Sequence, residues 1–405
     1  MLYAFILGKN TALSCAEILS VLKRDLFVFV ILSISPKALI IKADKRIENP
    51  QVFLNKLGGT VKIAEIFSEI QEKDIKGLIL GYIENSNQDS KFVFGISSYN
   101  FEDKNLGFEI KKELKKADIS SRFVQGKERS LSAPEIKNNK ILEKGADFVL
   151  IRSKNKVFLG KTIAIQDYEA YSTRDYGRPR RNAKSGMLPP KVAQIMLNLI
   201  PTQPTALQAK KLVYDPFCGN GTILQEALLM GHQVISSDIS KDRVYDTKEN
   251  LKWLKNKYGL KIEPEKIVFQ ADALNLTEKN LPAKLEAIVS EVYLGPPLTE
   301  KVTEKEISNI VSKLEGDYKQ FLKSCLIFNT SYLILAIPFY SLKNKIYRLN
   351  IFDSIPKIGY NVIDPFDNSK VDLSLVPEFD IKRKTISYSR PDQIVGREII
   401  ILKKS

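Results

Sequence analysis

The chain has almost no histidine, few cysteines and a shortage of acidic residues. Histidine occurs once, as His232 ahead of an apolar run, so neither an imidazole base nor a histidine-bound metal finds support. Cysteine occurs three times, at Cys15, Cys218 and Cys325, with no C-x-x-C pair. That spacing argues against a disulfide framework and a zinc site and fits a reducing cytoplasm. Cys218 lies in a glycine turn, where it reads as a small packing residue before it reads as a nucleophile. Long hydrophobic runs are also missing. The stretch 26–34 is too short to span a bilayer, and Met1-Leu2-Tyr3-Ala4 lacks the basic start of an export signal. No internal repeat or sustained heptad is present. Hydrophobic residues still make up 44% of the 405, enough for the cores of two or three domains.

The acid deficit leaves a net charge of +15, which favours an anionic macromolecule over a small metabolite as partner. Its distribution is uneven. Between 171 and 191 stand Arg174, Arg178, Arg180, Arg181, Lys184 and Lys191 against Asp175 alone, interleaved with Tyr171, Tyr176 and Pro179. A basic run with aromatic residues in it suits phosphates together with bases or sugars, so Arg174, Arg178, Arg180, Arg181 and Lys184 are candidate RNA contacts. The plainer alternative is a charged, solvated linker between domains.

The most informative segment is Asp215-Pro216-Phe217-Cys218-Gly219-Asn220-Gly221-Thr222. It falls between the apolar run 211–214 and the helical stretch 223–229, which predicts a strand, a glycine turn and a helix start. Glycines there let backbone approach a ligand, and the helix behind them presents unpaired N–H groups. Leu224 occupies the place of the third glycine of a dinucleotide fingerprint, which argues against a pyrophosphate and for a cofactor without phosphates. Three more predicted strands each end in an acid. Residues 234–237 lead to Asp238, a candidate for ribose hydroxyls; 267–270 lead to Asp272, a candidate for an adenine amine, followed by Ala273; and 287–290 lead to Glu291. Open α/β sheets bind ligands at such carboxyl ends.

With these residues in view, the chain resembles a known family. The octapeptide 215–222 looks like the first motif of class I S-adenosylmethionine-dependent methyltransferases, in the branch that methylates exocyclic amines of nucleic-acid bases. Residues 171–179 and 186–191 are similar to the segment that precedes that motif in THUMP-domain tRNA guanine-N2 methyltransferases. Leu7-Gly8-Lys9-Asn10, Leu57-Gly58-Gly59-Thr60, Tyr388-Ser389-Arg390-Pro391 and Gly396-Arg397-Glu398 carry the resemblance across nearly the whole chain. It implies an α/β architecture: a Rossmann-like class I methyltransferase domain with a mostly parallel seven-stranded sheet at 193–405, preceded by a ferredoxin-like unit at 1–58, a THUMP-like RNA-binding domain at 59–168 and a basic linker at 169–192. It also implies S-adenosylmethionine as cofactor, held by Asp215, Phe217, Gly219, Gly221, Thr222, Asp238, Asp272 and Ala273. The partner implied is tRNA, with no membrane or metal; an activating protein subunit stays open, and the catalytic chain leans toward a monomer.

Periodicity predicts strands in the first part at 2–7, 27–34, 38–41, 61–67, 92–96, 122–124, 148–151 and 157–165, and helices at 14–23, 74–82, 107–117 and 133–144. Ser132 and Glu135 match a capping box for the last helix.

One motif departs from the family. Where an Asp or Asn, two prolines and an aromatic residue are expected after the fourth strand, the chain reads Ser290-Glu291-Val292-Tyr293-Leu294-Gly295-Pro296-Pro297-Leu298. Two alignments are open. In the preferred one Glu291 accepts from the target amine and Tyr293 supports the base, so both are candidate catalytic residues. In the other, residues 295–298 replace the motif and backbone carbonyls take over. A third reading has both as edge residues of a degenerate site. The function expected is methyl transfer to the N2 amine of a tRNA guanosine; the alternatives are an RNA-binding protein without catalysis and an amine methylase of ribosomal RNA or DNA.

Overall fold

A computed structural model describes residues 1–86, 91–102, 105–181, 187–201, 211–277, 281, 285–299, 301–367, 369, 371–390 and 393–405. Lys184 therefore lies outside the described residues. The chain divides into two compact units: one of Met1–Cys15, Leu26–Glu169 and Lys370–Leu375, the other of Ala16–Asp25, Ala170–Ser369 and Val376–Ser405.

In the first unit, alternating and continuous apolar runs give eight strands: β1 (Leu2–Leu7), β2 (Phe29–Ile34), β3 (Ala38–Ala43), β4 (Thr60–Ile70), β5 (Phe92–Tyr99), β6 (Ser121–Val124), β7 (Gly145–Ser153) and β8 (Lys156–Ile165). They form one sheet in the order β2-β3-β1-β4-β8-β7-β5-β6, so residues 1–58 and 59–168 share a continuous ladder through the β1–β4 pair. Strand β5 pairs in parallel with β6 and β7, the others antiparallel. Helices Ile75–Glu84 and Leu106–Lys116 bury Ile79, Ile83, Ile110 and Leu114 against Phe94 and Phe148 of the sheet. The capping box forms as expected, with Ser132 accepting from the Glu135 N–H and Glu135 from the Ser132 N–H. The helix predicted over 133–144 is nevertheless two short ones, Ala133–Asn138 and Ile141–Lys144, because Lys140 takes a left-handed φ of 54° and breaks the hydrogen-bond ladder.

A polar cluster crosses the middle of this sheet. Lys62 Nζ, 3% exposed, donates to Asp147 Oδ2 at 3.1 Å and to Ser97 Oγ at 3.0 Å, while Ser97 and Thr162 donate to the same carboxylate at 2.8 and 2.6 Å. Each member is satisfied, so burial is tolerated.

The second unit carries ten strands: β9 (Leu212–Asp215), β10 (Gln233–Asp238), β11 (Val268–Gln270), β12 (Ala287–Glu291), β13 (Tyr332–Leu342), β14 (Lys345–Arg348), β15 (Tyr360–Val362), β16 (Phe379–Asp380), β17 (Thr385–Tyr388) and β18 (Val395–Lys404). The main order is β11-β10-β9-β12-β13-β18-β17-β16, with β14 on β13 and β15 on β18. Strands β11 to β13 in that order are parallel, and β18 runs antiparallel to β13. The seven strands expected are β11, β10, β9, β12, β13, β18 and β17; the short β14, β15 and β16 are additions. This is a Rossmann-like class I methyltransferase fold with an additional N-terminal domain.

The chain moves outward from β9 through β10 to β11, then returns to β12 on the other side of β9. That reversal leaves a crevice at the carboxyl ends of β9 and β12, the position where open sheets take ligands. Helix Glu304–Ser324 begins with a capping box of Thr303 and Glu306 and seals the sheet below with Ile307, Leu314, Tyr318 and Phe321 on one face. Among the described residues no helix is long and apolar enough to cross a membrane.

Replacing Lys62 by methionine leaves Asp147 charged and without its cation in the sheet interior. Chemical denaturation of Lys62→Met is expected to show a loss of about 3–5 kcal/mol; the double change Lys62→Met with Asp147→Leu should recover most of it.

Candidate active site

The turn after β9 takes the shape its glycines permit. Gly219 has φ +52° and Gly221 φ +77°, and a Cβ on Gly219 would meet nothing nearer than the Phe217 carbonyl at 4.0 Å. The space over Gly219 is thus open to a ligand. Gly221 is different. It is buried, and a Cβ there would sit 3.0 Å from Thr247 Cγ2 in a backbone conformation that side chains resist.

Asp215, the last residue of β9, is buried and points under the turn. Its Oδ1 accepts from the Phe217 N–H at 3.1 Å and from Ser290 Oγ at 2.6 Å. Burial pushes its pKa up to about 7, opposed by those two donors and assisted by the nearby carboxylates of Asp238 and Glu291. The same mutual repulsion shows that the acids at the ends of β9, β10 and β12 share one edge. Asp238 accepts from the Gly219 N–H at 3.0 Å on Oδ2 and from the Ser240 N–H at 3.0 Å on Oδ1, and burial raises its pKa. A carboxylate has about four acceptor positions, so capacity remains for a ribose hydroxyl beside the backbone donors. Asp272 caps the short helix Ala273–Asn275 through the Leu274 N–H at 2.9 Å and accepts from Asn275 Nδ2 at 2.7 Å, which likewise leaves lone pairs free. Ala273 is buried and its carbonyl accepts from Ser324 Oγ. Phe217 stands half-buried, edge-on to Phe321 with centroids 5.1 Å apart, as a wall beside the turn. An open glycine, two acids with spare lone pairs and an aromatic wall fit an adenosine-bearing cofactor.

Glu291 ends β12. Across the intervening β13 it reaches Arg397 of β18, whose Nε donates to Oε1 at 2.5 Å. Register explains the reach: Glu291 lies opposite Ala336 and Arg397 opposite Pro338, two residues on along the same face of β13. The short side chain of Ala336 leaves the path clear. Among the described residues no hydrogen bond is made to Oε2, and a fifth of the side chain remains open to solvent. Burial raises the pKa of Glu291, while Arg397 and then Arg390 pull it down. Tyr293 is 54% exposed two residues on. Its backbone is fixed: the Tyr318 hydroxyl donates to the Tyr293 carbonyl, and Tyr340 Oη donates to the Leu294 carbonyl at 2.8 Å.

The basic run divides. Arg174 is not a surface cation; its Nε donates to Glu226 Oε1 at 2.7 Å and its guanidinium lies 4.3 Å from the Tyr171 ring centroid. Arg178 is 3% exposed and donates to Thr222 Oγ1 at 2.7 Å. Both are therefore withdrawn from RNA contact, because they neutralise and anchor the helix Thr222–Leu229 behind the glycine turn. In that bond the Thr222 hydroxyl is the acceptor and keeps its own O–H to donate. Arg180 and Arg181 stay exposed, lying over the Tyr245 and Tyr176 rings at 5.1 and 4.8 Å. The backbone of Arg180 is tied down as well, since Asn250 accepts from its N–H and donates to its carbonyl at 2.9 Å, and donates at 2.9 Å to the Asn220 carbonyl of the turn. Cys218 is buried with its thiol pKa raised by that burial, so no thiolate is available. His232 lies ahead of β10, at the opposite end from the acids, with its pKa lowered to about 4 by burial.

Comparison with known proteins bears on this site. Residues 178–306 match the family UPF0020, described as RMKL-like, methyltransferase domain. Over 139 residues the chain is 35% identical to the tRNA (guanine(10)-N2)-dimethyltransferase of Methanothermobacter thermautotrophicus, covering 34% of each chain. It is 28% identical to the enzyme of the same name from Pyrococcus abyssi, covering 43% of this chain and 50% of that one. The chain thus matches between a third and a half of the length of these relatives. Among solved structures, TrmN from Thermus thermophilus superposes over 100% of both chains with a TM-score of 0.55 at 13% identity, a likeness of fold.

Sequence reasoning missed Ser290 as the partner of Asp215, Arg397 as the partner of Glu291, and the tyrosines that hold the loop after β12. Only Arg397 left a signal, in the Gly396-Arg397-Glu398 element. Arg397→Met removes the cation that opposes burial, so the Glu291 carboxyl should titrate at a higher pH than in the native chain. Carboxyl 13C NMR, with the resonance assigned by its loss in Glu291→Gln, measures this. Arg397→Lys should stay close to native.

Proposed function

We propose that the protein transfers a methyl group from S-adenosylmethionine to the exocyclic N2 amine of a guanosine in tRNA. One observation carries the reading: in a methyltransferase domain, a carboxylate ends the strand beside the cofactor turn with one oxygen held by Arg397 and the other free to accept. The names of the curated relatives support guanine N2 as target and make position 10 of tRNA the first to test. The first unit would grasp RNA as a ferredoxin-like unit at 1–58 followed by a THUMP-like domain at 59–168, a reading supported by the sequence resemblance at Leu7-Gly8-Lys9-Asn10 and Leu57-Gly58-Gly59-Thr60.

Bound at the turn, the cofactor supplies an electrophilic methyl group on a sulfonium. Asp238 would hold ribose hydroxyls and Asp272 an adenine amine, with Gly219 admitting backbone to the ligand and Phe217 excluding water from one side. The amine of guanine is a weak nucleophile because its lone pair is delocalised into the ring. Glu291 Oε2 would accept a hydrogen bond from one amine N–H, orienting the nitrogen toward the cofactor pocket, and would take up that proton when the amine is methylated. An acceptor-only carboxylate favours an amine over a keto oxygen at this position. Tyr293, exposed on an immobilised backbone, offers a ring on which the extruded base can stack.

The test is mass spectrometry of tRNA nucleosides after incubation with S-adenosylmethionine. The native chain should yield N2-methylated guanosine, and Glu291→Gln should lower the rate by about a hundredfold or more with calorimetric cofactor binding unchanged. Equal methylation by both would remove Glu291 from the mechanism. Methylation of ribosomal RNA or DNA in preference to tRNA, or tRNA binding with no methylation at all, would select one of the competing readings.

A further inference from the structure

Strand β13 does not stop where its neighbour stops. Strand β12 ends at Glu291, opposite Ala336, and the pairing goes only one hydrogen bond further, from the Val292 N–H to the Ala336 carbonyl. Residues 337–342 of β13 run on beyond that edge, a projection of about 20 Å at the rise of a strand. Along this length β18 covers one side of β13, from Tyr332 opposite Lys403 to Tyr340 opposite Val395. The other side, which β12 has vacated, is taken by β14, with Phe339 opposite Arg348 and Leu342 opposite Lys345. The β13–β14 ribbon therefore stands in line with β12, directly above Glu291 and the loop that carries Tyr293.

Side chains fix it there. Tyr340 Oη reaches the Leu294 carbonyl, and a Cβ on Gly295 would come within 2.7 Å of that hydroxyl, so the loop passes close under the ribbon. On the other strand, the Tyr347 hydroxyl donates to Glu304 at the start of helix Glu304–Ser324. The ribbon is thus one wall of the catalytic edge and not a free flap.

Its tip is built against local preference. Lys343 and Asn344 form a two-residue loop with φ of 50° and 64°, both left-handed, where Asn-Gly is the favoured pair. A lysine in that conformation is disfavoured by its Cβ, so stability alone does not account for it. Lys343, Lys345 and Ile346 are exposed, Ile346 by 54%, and residues 341–348 contain no acid. Arg348 is engaged with Glu398 and so is not part of the outward charge. The Lys345–Glu304 pair is solvent-exposed on both sides, weak enough to be exchanged for a phosphate.

Resting on the reading that the substrate is an RNA, we propose that this hairpin tip is an RNA-backbone contact: Lys343 and Lys345 take phosphates flanking the target nucleotide on the β13 side of the site, with Ile346 against a sugar or base. Exposed Arg180 and Arg181, attached to the glycine turn, lie on the β9 side. The target base would then descend between two cationic margins toward Glu291.

The experiment compares the native full-length chain with the double variant Lys343→Ala, Lys345→Ala, using an unmodified tRNA transcript. Lys266→Ala serves as the control of equal kind, since Lys266 is 73% exposed just ahead of β11, at the amino edge away from the site. Asn344→Gly keeps both charges and relaxes the turn. The double variant should reduce the slope of log affinity against log salt by about 1 for each lysine, raise KM for tRNA several-fold more than it lowers kcat, and leave calorimetric S-adenosylmethionine binding unchanged. Lys266→Ala and Asn344→Gly should behave as native. A salt slope and KM unchanged in the double variant would overturn the proposal while leaving the methylation reading intact. A native chain that neither binds nor methylates tRNA would overturn both.

Discussion

Everything at the carboxyl edge depends on one buried carboxyl group. Asp215 accepts from the turn above it through the Phe217 N–H and from the neighbouring strand through Ser290 Oγ. The first bond sets the shape of the cofactor turn. The second attaches that turn to the strand whose next residue is Glu291. A shift of either element is thus transmitted to the other through a single side chain that has no access to water. The arrangement is local to the reversal between β9 and β12, where two successive halves of the sheet meet and no helix intervenes.

The acids around Asp215 are kept apart in function by what holds them. Asp238 is committed to backbone donors of the turn, and Glu291 to a guanidinium on the far side of β13. Both retain lone pairs facing the crevice. Burial raises the pKa of Asp215, and the neighbouring carboxylates of Asp238 and Glu291 add to the shift. The loop after β12 is held at two carbonyls, by Tyr318 from the core and by Tyr340 from the ribbon.

The strand-turn-helix at 212–229 was legible in the sequence because its determinants are neighbours: two glycines, an apolar run before them and a helical period after. The same holds for the ends of β10, β11 and β12. What was not legible is what partners do at a distance. Arg397 lies 106 residues from Glu291, and only strand register brings them to the same face. Charge counting failed for Arg174 and Arg178 for a related reason. A cationic run records which residues carry charge but not which of them meet a buried acid, and Glu226 lies 52 residues downstream of Arg174 in an otherwise uncharged helix. The break at Lys140 was hidden because the residues on either side retain helical character.

The pairing of Arg174 with Glu226 also bears on where the catalytic half of this molecule begins. Glu226 sits on the first helix after the cofactor turn, buried, with its pKa raised to about 7 despite the guanidinium beside it. A polypeptide started at residue 193, or at the first strand of the sheet, would keep every residue that faces the cofactor and yet leave that acid without its cation and Thr222 without Arg178. The stretch from 170 to 181 is therefore the outer layer of the methyltransferase domain itself, and an excised domain has to carry it to keep Glu226 and Thr222 partnered.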